Sequence, residues 1–292
     1  MEANKPMFET PTKEELQELH RKHMKFLREY KNNFSYWFPF IKNISVPGVR
    51  IPKSVIIDVP EDLYKAFFME EKDDASQIVN WFRQSVVPVV KREFPSQEVF
   101  IKNGCFSGKF RFDENCHVRN IDDVETVARQ FSAIQYDSLM MDKMGELELI
   151  VREYIPAEPG TKTIYHGMPL RPEIRVFYDF SNNLYLYTVN YWDWDECHEA
   201  ICRHPEDAKV YEKVYPQIKS RLSTLLLNHM GKICKVLGTV ENLSDIWSVD
   251  FILEDRQIWL IDMATAGMST YWDPERVIKM YPGKYRRTEN HK

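Results

Sequence analysis

Cysteine, glycine and long apolar runs are all scarce in this 292-residue chain. Its five cysteines, Cys105, Cys116, Cys197, Cys202 and Cys234, are an odd number without paired spacing, which excludes a disulfide framework and fits reduced thiols. No stretch approaches the roughly 20 apolar residues needed to span a bilayer. The segment Met1 to Pro11 is polar and acidic, unlike a secretory signal, so a cytoplasmic protein without a membrane partner is expected. A basic excess is also missing. Lysine plus arginine (39) against aspartate plus glutamate (44) leaves a net charge of -5, which argues against general nucleic-acid binding through counterion release but permits a local basic groove. Ten glycines and sixteen prolines exclude collagen-like and low-complexity chains, and make each glycine informative.

Apolar material is plentiful. Hydrophobic residues make up 43% and aromatics 13% of the chain, enough for a globular core in one large or two small domains. Thr12 ahead of Lys13-Glu14-Glu15-Leu16, with Leu19, Met24 and Leu27 at helical spacing, predicts an N-capped amphipathic helix over residues 12 to 31. Aromatics from Phe34 to Phe40 precede a proline-punctuated turn, Val55 to Val59 reads as a strand, and a helical period returns over Asp74 to Phe82 ahead of the apolar run Val86 to Val90. Further on, strands are expected at Val99–Asn103, Lys109–Phe112, Leu147–Ile155, Ile174–Phe180, Leu184–Tyr191, Val249–Leu253 and Ile258–Met263. Helices are expected over Asp122–Met141 and Pro205–Leu237, the latter with proline at its first position. This order implies an α+β protein without internal repeats.

Four segments carry chemistry. In Glu98 to Phe110, a strand ends in Lys102, a small loop holds Gly104, Ser107 and Gly108, and Lys109 follows. Such a segment brings cations and backbone N–H groups to a phosphate chain, although a hairpin turn with exposed lysines has the same composition. It is not a Walker A loop: three residues, not four, separate Gly104 from Gly108, and Phe110 follows Lys109. Nor does Lys102-Asn103-Gly104 match the Lys-x-Asp-Gly of ligase-type nucleotidyltransferases. Near the other end, Asp250 and Asp262 each sit inside an apolar strand, the two strands being joined by the charged turn Glu254 to Gln257. Buried carboxylates require a cation, either Mg²⁺, which prefers oxygen ligands, or a salt-bridging side chain. Arg175 interrupts the apolar strand Glu173 to Tyr178, where it would pair with Asp250 or Asp262 or neutralise a transferring phosphoryl group. The strand Leu149 to Ile155, closed by Pro156, suits the edge of an adenine pocket.

In this order the segments resemble an ATP-grasp fold, and most closely the cell division cycle 123-like proteins and the related microbial clade named for one arginine and two lysines. The likeness covers roughly residues 85 to 275. It implies two α+β subdomains clasping ATP and Mg²⁺, with an N-terminal mixed region at 1–95, a lid subdomain at 96–156 and a C-terminal subdomain at 157–292. Lys102, Gly104, Ser107, Gly108 and Lys109 would hold phosphates, while Glu153, Tyr154 and Ile155 would form the nucleotide hinge. Arg175 would be catalytic, and Asp250 with Asp262 would bind metal. The implied activity is an ATP-dependent carboxylate–amine ligase working through an acyl phosphate. The alternative is an ATP-binding assembly factor for a protein client such as a translation initiation factor subunit. One position departs from the family: Ala264 stands where the closing Asp-x-Asn motif has its asparagine, leaving the second metal contact to Thr265 or water, or one of two Mg²⁺ ions weakly bound.

Three other features fall outside that pattern. Trp192 to His198 reads as an aromatic, acidic loop that either gates a pocket or packs as a tryptophan rim. His198-Glu199-Ala200-Ile201-Cys202 has a zinc-helix spacing only with cysteine as the second ligand, and without a third ligand zinc is not expected there. Cys105 has no evident base beside it and reads as a small loop residue rather than a nucleophile, and Lys284 to Lys292 reads as a solvated basic tail.

Overall fold

A computed structural model describes residues 13–67, 72–141 and 147–285; the proposed Thr12 cap and the basic tail beyond residue 285 lie outside them. Eleven strands are described: β1 (Val49–Arg50), β2 (Ser54–Asp58), β3 (Val99–Asn103), β4 (His117–Val118), β5 (Glu148–Glu153), β6 (Thr163–Ile164), β7 (Met168–Pro169), β8 (Glu173–Asp179), β9 (Leu184–Asn190), β10 (Ile246–Leu253) and β11 (Ile258–Thr265). They form a five-stranded sheet in the order β1-β11-β10-β8-β9, a four-stranded sheet in the order β2-β5-β3-β4, and the small pair β6-β7. Residues ahead of position 96 enter both large sheets, since β1 pairs with β11 and β2 with β5.

The two-residue period of a strand sorts its side chains onto two faces. In the four-stranded sheet, Val99, Ile101, Leu149 and Val151 join Phe131 and Ile134 of the helix Val124–Met140 in one core. The opposite face carries Phe100, Lys102, Ile150 and Arg152, cross-strand neighbours in register. In the five-stranded sheet, Val176, Val249, Phe251 and Leu260 pack with Leu222, Ile233 and Val236 of the helix Pro205–Gly238. Its other face presents Glu173, Arg175 and Asp250. Each fully buried Leu, Ile, Val or Phe contributes about 1.5–3 kcal/mol relative to exposure.

On β11 this period is broken. Asp250 pairs with Asp262 and Phe251 with Leu260, so Ile261 is the extra residue of a β-bulge. An unbroken strand would place Asp262 with Ile258 and Leu260 in the helix-side core. The bulge turns it to the other face, where it lies across from Asp250.

Most expected elements form, with shifted ends: the β10–β11 hairpin is longer, and the long helix runs one residue further, to Gly238. Lys109–Phe112 is a correction, because it is not a strand. Gly108 adopts φ +62°, a 3-10 turn covers Lys109–Arg111, and a helix covers Phe112–Asn115. The N–H groups of Phe112 and Asp113 donate to the Tyr165 and His166 carbonyls rather than to a neighbouring strand. The aromatic segment Phe34–Ile41 is a helix despite Pro39. Val87–Glu93 is also helical, reached through a π turn at Phe82–Val86. Trp194–Cys202 is a helix rather than a loop, capped by the Asp193 carboxylate, which accepts from the Asp195 N–H at 3.1 Å. In the helix Lys13–Glu29, Met24 and Leu27 are buried whereas Leu19 is 65% exposed. Among the described residues, no helix is long and apolar enough to cross a membrane.

Candidate functional site

The charged face of the four-stranded sheet meets that of the five-stranded sheet across a cleft. Lys102, almost wholly buried, sends its ammonium to both Asp262 carboxylate oxygens at 3.1 and 3.0 Å. Arg152 donates from Nη1 to the Ile261 carbonyl and from Nε to Ser54 Oγ at 3.2 Å. Phe34 lies beneath both cations, its ring centre 5.9 Å from Lys102 Nζ and 5.3 Å from the Arg152 guanidinium. From the loop after β3, Lys109 reaches Glu173 at 3.8 Å and the Tyr191 ring at 5.2 Å. Arg175 forks onto both oxygens of Asp250, each at 2.8 Å, and donates to the Thr270 carbonyl at 3.2 Å. Of the two partners open to Arg175 and of the two kinds of cation open to Asp250, the fold therefore pairs these residues with each other.

Burial and opposite charge pull these groups in different directions. Burial pushes the Asp262 carboxyl up, but Lys102, Arg152 and Lys109 outweigh it and hold the group below its ordinary 3.8. Glu173 moves the other way: burial holds it above 4.5 despite Lys109. Burial lowers Arg152 to about 10, which leaves it cationic at neutral pH. Lys109 is disfavoured by burial, yet Tyr191 and the carboxylates of Glu173, Asp250 and Asp262 raise it overall.

The cleft has two adjoining compartments. The smaller is lined mainly by apolar groups including Phe100, Tyr154, Ile155, Met168 and Ile252. The larger is lined by residues including Arg175, Asp250 and Tyr191. Lys102, Ser107, Lys109 and Asp262 line both and therefore stand at the junction.

The glycine-bearing loop is organised differently from the expected phosphate cradle. Asn103 Oδ1 accepts from the N–H groups of Cys105 and Phe106 at 3.1 and 2.6 Å, and Asn103 Nδ2 donates to Gln135 at 3.1 Å. Those two backbone donors are thus already engaged. Gly104 is buried within the turn, whereas Ser107, Gly108 and Lys109 face the larger compartment. At Gly108 a Cβ would come within 2.9 Å of Asn115 Nδ2, and its left-handed backbone already favours glycine.

Beyond β5, in the segment expected to form a hinge, Tyr154 stacks on His117, with ring centres 4.1 Å apart, and the Ile155 carbonyl accepts from Arg171 at 3.2 Å. The Glu153 side chain turns to the rim, towards Arg50 at 3.5 Å and the Lys53 N–H at 3.2 Å.

The donor set fits Mg²⁺ carried on a phosphate chain better than a preformed cage. Arg175 occupies both oxygens of Asp250 and Lys102 both of Asp262, while Oε1 of buried Glu173 has no hydrogen-bond partner. Mg²⁺ needs only one or two carboxylates when phosphates and waters complete its shell. Beside Ala264, the Thr265 hydroxyl and N–H donate to Asn32 Oδ1 at 3.0 and 2.7 Å. Sequence reasoning did not single out Arg152, Arg171, Glu173 or Tyr191. Arg152 carries the same signal as Arg175, a cation interrupting an apolar strand.

No family model matches the chain, and no curated protein does. Among solved structures, a C-terminally truncated Cdc123 from Schizosaccharomyces pombe superposes with a TM-score of 0.42 and 14% identity, covering 80% of this chain and 83% of that one. A second Cdc123 structure from the same organism gives 0.41 and 15%, with the same coverage. A D-alanine–D-alanine ligase from Bacillus anthracis gives 0.32 and 10%, covering 85% of this chain and 61% of that one. The chain is similar in structure to Cdc123, the resemblance expected from its motifs, and to a ligase.

Proposed function

We propose that the cleft binds Mg-ATP, with the base in the smaller compartment and the phosphates crossing the junction towards the larger. The observation that carries this reading is the division of charge between the walls. Lys102, Lys109 and Arg152 come from the four-stranded sheet and its loop, while Glu173, Asp250 and Asp262 come from the five-stranded sheet. Apart from Arg175, which Asp250 neutralises within its own wall, cations on one wall face carboxylates on the other, an arrangement that complements a metal-bound polyphosphate. Lys102 and Lys109 would exchange their carboxylate partners for phosphate oxygens, freeing Asp262 and Glu173 for the metal. Bound there, Mg²⁺ would neutralise phosphate charge.

The larger compartment supports a second substrate and hence ligase chemistry. A substrate carboxylate oxygen attacks the γ-phosphorus of ATP, ADP leaves, an amine attacks the acyl carbon and inorganic phosphate departs. Arg175 stands where it would stabilise the transferring phosphoryl group. The second reading, a nucleotide-binding assembly factor that turns over little or no ATP, is favoured by Ala264 at the second metal position and by the closed Arg175–Asp250 fork.

Purified protein tests both readings. Mg-ATP at a hundredfold excess over its dissociation constant should stabilise the fold by about 2.7 kcal/mol. Absence of stabilisation by any nucleotide would overturn the binding site. ADP release that requires a mixture of amino acids or peptides supports the ligase; binding without turnover in every mixture supports the assembly factor.

A further inference from the structure

The long helix supplies the third ligand that the sequence lacked around His198. His198 and Cys202 lie four residues apart and project from one face of the helix Trp194–Cys202. The helix Pro205–Gly238 packs beside it and brings Glu212 to the same point. His198 Nε2 stands 3.2 Å from Cys202 Sγ and 3.3 Å from the nearer Glu212 oxygen. All three donor atoms fall within 4.8 Å of one another, and among the described residues this is the only such group of three.

We infer that His198, Cys202 and Glu212 form a site for a borderline-soft divalent cation, with Zn²⁺ the best match. Zinc bond lengths to nitrogen, sulfur and oxygen give tetrahedral edges of about 3.4–3.6 Å, so the two separations from His198 need open by only a few tenths of an ångström, while the Cys202–Glu212 edge lies within 4.8 Å. Thiolate and imidazole together select zinc over Mg²⁺ or Ca²⁺, and binding would release the thiol proton. The Trp194 ring stacks on His198 with centres 4.1 Å apart, and Trp194 itself stacks on Tyr211, so the imidazole is held before a metal arrives. Partial exposure of His198 and Glu212, 33% and 52%, leaves the fourth position to water or an external ligand.

The same helix forms a wall of the larger compartment through Glu196, Cys197, Ala200 and Ile201. A metal on its outer face would therefore tie that wall to the long helix. The site itself does not depend on the nucleotide reading, and its test uses no nucleotide.

Full-length reduced protein, stripped with chelator, is titrated with Co²⁺ and then with Zn²⁺. One equivalent of Co²⁺ should produce a thiolate charge-transfer band and visible d–d bands, which Zn²⁺ then abolishes. Cys202→Ser should remove the charge-transfer band, and His198→Asn or Glu212→Gln should weaken Zn²⁺ binding by at least the roughly 10- to 100-fold that loss of an outer-shell partner costs. Cys234→Ser, at an exposed thiol elsewhere, should change nothing. Metal-free melting of the Cys202→Ser protein at the wild-type temperature shows that its fold is intact; if it melts lower, the His198 and Glu212 variants carry the test. No uptake at one equivalent, or a band that persists in Cys202→Ser, overturns the site.

Discussion

The two walls of the cleft use buried charge in different ways. On the five-stranded sheet, Arg175 and Asp250 are cross-strand neighbours that satisfy each other within one wall. Lys102 on the four-stranded sheet has its partner, Asp262, on the opposite wall. A pair within a sheet survives if the sheets move apart; a pair between sheets holds them together and is lost when they separate. The cleft is thus closed by its own complementary charges, which a ligand bearing both signs would replace.

The largest expected effect strikes the pair between the walls. Lys102→Met leaves a desolvated carboxylate without its cation and should lower unfolding free energy by about 3 kcal/mol, at the low end for broken buried pairs because Asp262 remains 29% exposed. Denaturant unfolding at neutral pH measures it, and Asp262→Leu added to Lys102→Met should recover much of the loss. Neither mutant of the pair Lys102→Ala and Asp262→Asn should retain stabilisation by Mg-ATP. If both do, the nucleotide does not engage this junction.

Gly108→Ala comes next. A left-handed backbone and a Cβ 2.9 Å from Asn115 should together cost about 1–2 kcal/mol, read from the same unfolding curves; an unchanged midpoint would mean that the loop relaxes freely.

A smaller pair of effects separates the acids of the five-stranded wall by sign. Asp262 is held below 3.8, so its stabilisation is complete above that value and disappears as pH falls through the folded one. Glu173 is held above 4.5, so its contribution is complete below 4.5 and is lost as pH rises through its folded value. Glu173→Gln should therefore gain on the wild type as pH rises above 4.5, whereas Asp262→Asn should lose its deficit only on strong acidification. Parallel pH profiles for the two variants would contradict the assigned environments.

Glu153→Gln should do least. Its carboxylate sits at the rim beside exposed Arg50, and exposed pairs contribute about 0.2–1 kcal/mol. A thermal shift with Mg-ATP equal to that of the wild type would sharpen the contrast between rim and junction. A lost shift would place the side chain in the nucleotide contact.

Much of this was legible in the residues. Charged residues inside apolar strands marked Arg175, Asp250 and Asp262, because such placements require a partner wherever the strand ends up, and Lys102 stood out as a strand-end lysine ahead of a glycine-bearing loop. Strand and helix periods located most elements for the same local reason. Lys109–Phe112 was misread because apolar alternation over four residues does not report that the backbone donors find the Tyr165 and His166 carbonyls, more than fifty positions away. Arg152 escaped notice although its signal equalled that of Arg175.

By itself, the sequence determined the α+β element order and the residues whose burial had to be compensated, since propensity, period and desolvation act over a few residues. Three matters were left to tertiary structure. The bulge at Ile261 decided that Asp262 faces the cleft rather than the helix-side core. Sheet placement decided that Lys102 and Asp262, 160 residues apart, meet at 3.0 Å. Packing of two helices brought Glu212 to His198 and Cys202. Each depends on register or docking between distant segments, and a one-residue slip would have reversed the face or removed the partner.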